Sequence, residues 1–510
     1  MSLHRRGAWT RKPLSHVVPE PMTQHNDGNR SSSSSLDTSS GHERHLSLWD
    51  LVSIGVGGTV GSGIFVLAGL IAHDFSGPST CLSFVLSGLA ALCSGVAYAE
   101  WAGRLPAAGS TYVFALVSLG EWPAVLAAAC LTLEYGVSGA AVARSWGDKL
   151  MEWMGWESSS VGNLWAGLIT LLSVLLLSVG VQESKAVTNV MTVLKVALVL
   201  FMMVGGFLLW DVSNLQPFAP KGVSGTLRGA TSSFFAFLGY DEVCCLAAEA
   251  KNPSTDMPKA VLYTIAIVTV LYGLASLALV GMVPMEQISE TSGFPAAFAA
   301  RGVEWAAHVT AMGEIITLPV VVLISLMAQP RLFAAMARDG LLPEIFERQN
   351  ADGNLVWSHW LCGIPMTLVA TFVPFTYLDD GISVGILLLF NMTNSSLILM
   401  KCRDDNGSLS RYLILFHVTA FAAALVPRSI PGIPAVLTSL ATIVGLAFFI
   451  HCQSVRQEYF GAHLSTHGGT STHRLSSTTG DEFETPMVPL IPLLGIAMNW
   501  YLIAQLEWTG

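Results

Sequence analysis

The sequence predicts an all-α integral membrane protein, and three observations carry that prediction. First, 52% of the residues are hydrophobic and only 12% are charged, whereas about a quarter of a soluble domain is charged. The mean hydropathy is +0.56. Second, the apolar residues fall in runs long enough to cross a bilayer, which takes about 20 residues of helix. Third, two of those runs are interrupted by glycines or acids that an ordinary spanning helix avoids.

In chain order, residues 1–45 are polar and carry the Ser31–Ser35 run, the composition of a disordered tail. The tail has no short apolar core with a cleavage site, so no secretory signal is read in it. Spans follow at about 49–72, 79–101, 111–143, 161–180, 187–210, 229–248, 259–283, 306–337, 357–375, 381–400, 411–427, 432–452 and 487–506. The stretch 453–486 is rich in Ser, Thr and His and reads as a flexible loop. With the tail in the cytoplasm, 18 Lys and Arg fall inside and 6 outside, Lys195 lying within a span. Positive residues mark the cytoplasmic side, so the N terminus is expected there. The net charge of −10 leaves no nucleic-acid footprint. The eight cysteines form no C-x-x-C pair and read as small buried residues, not as a metal site.

The first interrupted run is Gly55–Gly69, Gly-Val-Gly-Gly-Thr-Val-Gly-Ser-Gly-Ile-Phe-Val-Leu-Ala-Gly. Each interior Gly costs a helix about 0.8–1 kcal/mol relative to Ala. Broken helix is tolerated in a membrane only where protein or a wet cavity satisfies the freed backbone groups. The run therefore reads either as a discontinuous helix at a binding site or as a glycine face for close packing, since Gly57 and Gly61 also have G-x-x-x-G spacing. The second interrupted run is the sixth, Phe234-Phe-Ala-Phe-Leu-Gly239-Tyr-Asp241-Glu242. It lies five spans later, in the opposite orientation. Paired interrupted spans are the sequence mark of a midplane transport site, which favours the binding reading. Lys195 is a third anomaly. It sits deep in the fifth span, where an unpartnered ammonium costs ~2.5–3.5 kcal/mol.

These stretches resemble a known group. Gly61-Ser-Gly-Ile-Phe65-Val-Leu-Ala-Gly69 resembles the first-span signature of the amino acid–polyamine–organocation superfamily. Leu133-Glu134-Tyr135 with Val142-Ala143-Arg144, Phe235 to Asp241, Glu249-Ala-Lys-Asn252-Pro253, Pro330-Arg331 and Met336 to Leu342 resemble its cationic amino acid transporter family. So do Phe483 to Pro489 and Asn499-Trp-Tyr501-Leu502. The resemblance runs in family order from about residue 46 to 506. It implies a five-plus-five inverted repeat in a ten-span core over 46–400, with discontinuous spans 1 and 6, and about three additional spans over 401–510. It implies amino-acid transport without sodium. Members commonly carry one span more than is read here, and vertebrate members often have Asn where this chain has Lys195.

The site residues follow from that resemblance and from what an amino acid needs. Its carboxylate wants free amides at a helix N-terminus, expected at Ser62, Gly63 and Ile64, with Gly61 and Gly63 leaving the backbone open. Its ammonium wants carbonyls, expected near Ile54–Gly57 and Phe234–Phe237. Phe235 and Phe237 flank the break and suit a gate or a cation–π cover, with Phe237 favoured. Glu134 is placed to meet a substrate ammonium or to orient the third span. By resemblance, Lys195 stands where sodium-coupled relatives bind their cation; because a desolvated lysine gives up its proton more easily, it is expected to couple transport to protons. Asp241 pairs a basic group or holds the unwound segment, and Glu249 latches to Arg331 or Arg338 as an inner gate. Glu100 and Glu314 also lie within apolar runs.

No H-E-x-x-H, G-x-S-x-G or metal-spaced His cluster occurs, so enzyme readings fare badly and no cofactor is expected. The expected partners are an amino acid, the lipid bilayer and protons. A plasma or a vacuolar membrane suits the sequence equally. An amino-acid sensor without flux, or a transporter of neutral amino acids or polyamines, stays open.

Overall fold

The computed structural model describes residues 46–506 apart from 107–108, 157–161, 181–184, 351–352, 403–407, 430–438, 440–441 and 448–482. The expected tail, most of the expected 453–486 loop and most of the span at 432–452 lie outside the described residues. The described residues are helical, and eight helices are long and apolar enough to cross a membrane. Apolar side chains stand exposed along them, among them Val193, Leu200, Val270 and Ile316. Apolar side chains left outside on helices of this length suit a lipid solvent, and the protein is an integral multi-pass membrane protein.

The chain begins with α1 (Leu48–Thr59), started by a capping box in which Ser47 and Asp50 exchange side-chain and backbone bonds. Such boxes satisfy two of the amides a helix start leaves open. It stops at Val60, which is extended, and resumes as the short α2 (Ser62–Phe65) and α3 (Leu67–Leu70). A π-helical stretch, Ile71–Ser76, completes the run. α4 (Thr80–Arg104) returns along it.

The next crossing differs from the expected span at 111–143. Gly120 has φ +108, a conformation open to glycine and strained for other residues. It divides the run into α5 (Ser110–Ser118), with all nine residues buried, and a long helix made of α6 (Glu121–Thr132), a π turn over Leu133–Val137, and α7 (Ser138–Trp153). The join, Ser118-Leu-Gly-Glu121, is short and carries one charge, so the two apolar helices read as one span.

α8 (Leu164–Ser178) and α9 (Lys185–Leu208) follow. The sixth run is α10 (Gly222–Ser232), a 3-10 stretch Ser233–Phe237, a break over 238–241, α11 (Glu242–Cys245) and a 3-10 turn Ala247–Glu249. Then come α12 (Pro253–Met282), α13 (Gly293–Ala300), α14 (Glu304–Arg338), α15 (Val356–Phe372), α16 (Phe375–Lys401), α17 (Ser408–Ser429) and α18 (Leu490–Ala504). α12 lies along α4 and also meets α1 and α9, while α14 lies along α7. The broken first run is thus cradled by continuous helices.

The last helix is packed into the molecule, against α16, α17 and α4. Its Asn499 Nδ2 donates to Asn391 Oδ1 at 3.1 Å and to Ser94 Oγ at 3.3 Å. Asn394 Nδ2 reaches the same Ser94 at 3.0 Å. Interhelical amide bonds in a bilayer are worth about 0.6–2 kcal/mol. Asn499→Leu is therefore expected to lower the melting temperature of the detergent-purified protein by several degrees. A melting curve identical to the parent's would show that this cluster does not hold α18.

Candidate functional site

The two breaks meet. Gly239 has φ +109, and a Cβ there would lie 2.8 Å from the Thr59 amide nitrogen. A Cβ on Gly63 would lie 2.4 Å from Ala236 Cα. Both glycines are required by close approach of one interrupted backbone to the other. Gly57 packs against α9, where a Cβ would meet Thr192 Oγ1 at 2.1 Å. The glycine run thus both breaks the helix and packs closely against its neighbours, at different glycines.

The backbone groups freed by the first break find partners on neighbouring helices. Tyr272 of α12 donates its hydroxyl to Thr59 O at 2.7 Å. Thr59 Oγ1 donates to Gly55 O at 2.7 Å. Lys195 is buried, and its Nζ donates to Gly57 O at 2.6 Å. Gly61 O accepts from the amides of Ile64 and Phe65, each at 3.2 Å. Of the three expected carboxylate donors, the Ile64 amide is therefore already engaged. Ser62 and Gly63 stand at the first helical positions, whose amides have no intrahelical acceptor.

A cavity lies beside the crossing. Of the predicted residues, Gly61, Gly63 and Phe235 line it. Ser138 of α7 and Val321 and Ser325 of α14 form its opposite wall, and Glu242 stands between. Phe237 does not line it. Its ring packs on Tyr272 at 5.7 Å, and Phe234 packs on Phe390 at 5.6 Å. Ile54 is half-buried against the apolar core. Gly57, expected among the substrate contacts, gives its carbonyl to Lys195 instead.

The acids gather behind the cavity. Glu134 and Asp241 are buried with their carboxyl groups in contact. Tyr135 donates to Asp241 Oδ2 at 3.1 Å. Both Glu134 carboxylate oxygens and Asp241 Oδ1 lack a donor among the described residues. Glu242 faces Lys195 and lines the cavity together with Ser325. Ser138, one turn beyond Glu134 on the cavity wall, donates to the Glu134 carbonyl. At the face that carries the start of α1, here the near face, Glu249 and Arg331 come together at 3.4 Å. The backbone of Leu46 pairs with Glu249 and Lys251 beside them. Sequence reasoning missed Tyr272, Ser138, Val321 and Ser325, because each stands in a regular helix with nothing unusual in its local pattern.

Comparison with known proteins fits this geometry. A profile of the family described as amino acid permease matches residues 46–468. The chain is 33% identical over 510 residues to cationic amino acid transporter 1 of Arabidopsis thaliana, covering 92% of this chain and 82% of that protein. It is 31% identical over 500 residues to the chloroplastic cationic amino acid transporter 9 of the same plant, covering 92% and 84%. It is also 34% identical over 376 residues to the methylthioribose transporter of Bacillus subtilis, covering 70% and 81%. None of these names is that of an enzyme.

The crossing yields a direct expectation. Overpacking costs about 1–3 kcal/mol, and here the obstacle at Gly63 is backbone. Gly63→Ala is expected to cut substrate binding about tenfold or more while the protein still reaches the membrane. Parent-level binding in a well-expressed variant would separate the crossing from the site.

Proposed function

The chain belongs to the amino acid permease family, and from that premise we propose that it is a secondary transporter of amino acids with cationic side chains. It works without sodium, by alternating access around the crossing of the two interrupted runs. The observation that carries the cationic reading is the unmatched Glu134–Asp241 pair behind the cavity. Two buried carboxylates in contact need a proton or a cation between them. The side-chain charge of arginine, lysine or ornithine supplies one.

In this reading the substrate carboxylate sits on the Ser62 and Gly63 amides at the start of α2, where the helix dipole favours negative charge. Its ammonium meets carbonyls of the 3-10 stretch Phe234–Phe237. Phe235 covers the side chain, which points past Ser138 towards Glu134 and Asp241. Lys195 holds the first run through Gly57 O, in the place of a sodium ion. A proton exchanged at Lys195 or its neighbour Glu242 couples the cycle, and Glu249–Arg331 closes the near face. The two runs belong to inverted five-span repeats, and the near face is cytoplasmic, in a plasma or a vacuolar membrane.

A neutral substrate is the second reading, favoured by the similarity to the methylthioribose transporter. Purified protein in vesicles with a proton gradient decides between them. Arginine, lysine and ornithine should compete with labelled arginine, and Glu134→Gln should weaken their competition about tenfold while sparing any neutral competitor. Preference for neutral solutes in the parent would establish the second reading, and binding without flux would make the protein a sensor. Lys195→Met should abolish or uncouple uptake. Full proton-dependent uptake in that variant would remove Lys195 from the mechanism.

A further inference from the structure

A second buried lysine stands at the distal face, opposite the start of α1. Lys149 of α7 is 7% exposed and Glu314 of α14 is 1% exposed. Lys149 Nζ donates to Glu314 Oε2 at 2.6 Å, to Phe65 O at 3.1 Å and to Thr291 O at 3.1 Å. An ammonium has three donors, so three acceptors from three separate parts of the chain satisfy it.

Each acceptor has a local reason to be there. α2 ends at Phe65, and Val66 has φ −120. The Gly69 amide turns to Val66 O instead of Phe65 O, which leaves the Phe65 carbonyl open to Lys149. Thr291 lies in the connection between α12 and α14. That connection is pressed onto the first run, since a Cβ on Gly69 would lie 2.4 Å from Ser289 O. His73 adds a contact to Glu290 at 3.3 Å. Glu314 is fixed on the other side, because Trp146 of α7 donates to Ile315 O of α14 at 2.8 Å.

The three bonds are therefore of two kinds. Lys149–Glu314 joins two long continuous helices that also pack together along their length. The bonds to Phe65 O and Thr291 O reach from those helices to the distal half of the interrupted run and to the connection lying over it. We infer that Lys149 is a gating residue that locks the distal half of the first run closed over the cavity. Opening the distal face breaks the two carbonyl bonds while Glu314 keeps the ammonium paired. Glu314 thus lets the lock release without leaving an unpaired charge in the interior, a cost that would otherwise hold the face shut. This inference rests on the alternating-access reading, and its test separates the two.

Val142 of α7 also lines the cavity, and the full-length protein in vesicles, carrying Val142→Cys, is exposed to a membrane-impermeant thiol reagent from the distal side. In this parent, arginine should change the labelling rate. Lys149→Met should raise the rate about tenfold without substrate and lower the apparent KM for arginine offered from the distal side. Glu314→Gln should shift both in the opposite direction, because the ammonium then has no carboxylate to stay on when the two carbonyl bonds break. Trp146→Phe, which removes a bond between the same two helices but none to the interrupted run, should leave labelling at the parent's rate. If Lys149→Met does not reach the membrane, Glu314→Gln carries the test. Parent-rate labelling in both charge variants, or an equal rise in Trp146→Phe, would overturn the lock. Labelling in the parent that ignores every transported solute would overturn alternating access itself.

Discussion

A bilayer offers no water to an opened helix, so a break in a spanning segment must be satisfied by protein or by a wet cavity. The structure depends on how it meets that constraint at Val60 and Gly61. Tyr272 supports the break by donating its hydroxyl to Thr59 O. Lys195 takes the Gly57 carbonyl. The remaining backbone opens onto a cavity rather than onto lipid. Each support comes from a long helix, α12 or α9, and those helices are continuous because they have to position single groups accurately. The second break is supported by the first, since Gly239 allows its backbone to lie on Thr59.

The buried charges divide by the same logic. Lys195 and Lys149 are each met by carbonyls, and Lys149 also by a carboxylate. Glu100 is fully buried but accepts from the Thr485 amide and pairs with Lys401 and Arg104, which ties the segment before α18 to α4 and α16. These are closed accounts of charge, each explained within the chain. Glu134 and Asp241 are not, because their contact places two acids together with no described donor on three of their four oxygens. A charge that the chain leaves unmatched in its own interior is the feature most readily matched by something that comes and goes.

What the sequence makes legible follows from where the physics is local. The breaks announce themselves, because glycines at 55–63 and acids at 241–242 are costly in a spanning helix wherever their neighbours lie. Lys195 is conspicuous for the same reason, but its partner is not. Gly57 O lies 138 residues away in the chain, and only the family resemblance pointed to the first run. The turn at Gly120 was hidden because apolar residues continue on both sides of it. Phe235 and Phe237 are alike in sequence, and the tight 3-10 winding of Ser233–Phe237 decides which one faces the cavity. Tyr272 and Ser325 carry no local signal at all. Glu314 was visible only as an acid in an apolar run, and Lys149 only as a charge near the end of one. Their pairing is a fact of packing between α7 and α14.

In the proposed cycle the two closures of the cavity are unequal. At the near face, Glu249 and Arg331 meet at 3.4 Å with side chains 17% and 32% exposed, and pairs of that kind are worth about 0–1 kcal/mol. Tyr112 adds one bond to Asp339 at 2.8 Å, and Leu46 adds a short backbone pairing. At the distal face the Lys149 and Glu314 side chains are 7% and 2% exposed, and breaking a buried pair by losing one partner costs about 3–5 kcal/mol. A solvated pair can exchange its partner for water as it separates, whereas a buried ammonium needs another acceptor in place before it lets go. The near closure can therefore yield through small local motions of side chains. The distal closure can yield only as a concerted movement of the first run and the α12–α14 connection away from a Lys149 that stays on Glu314.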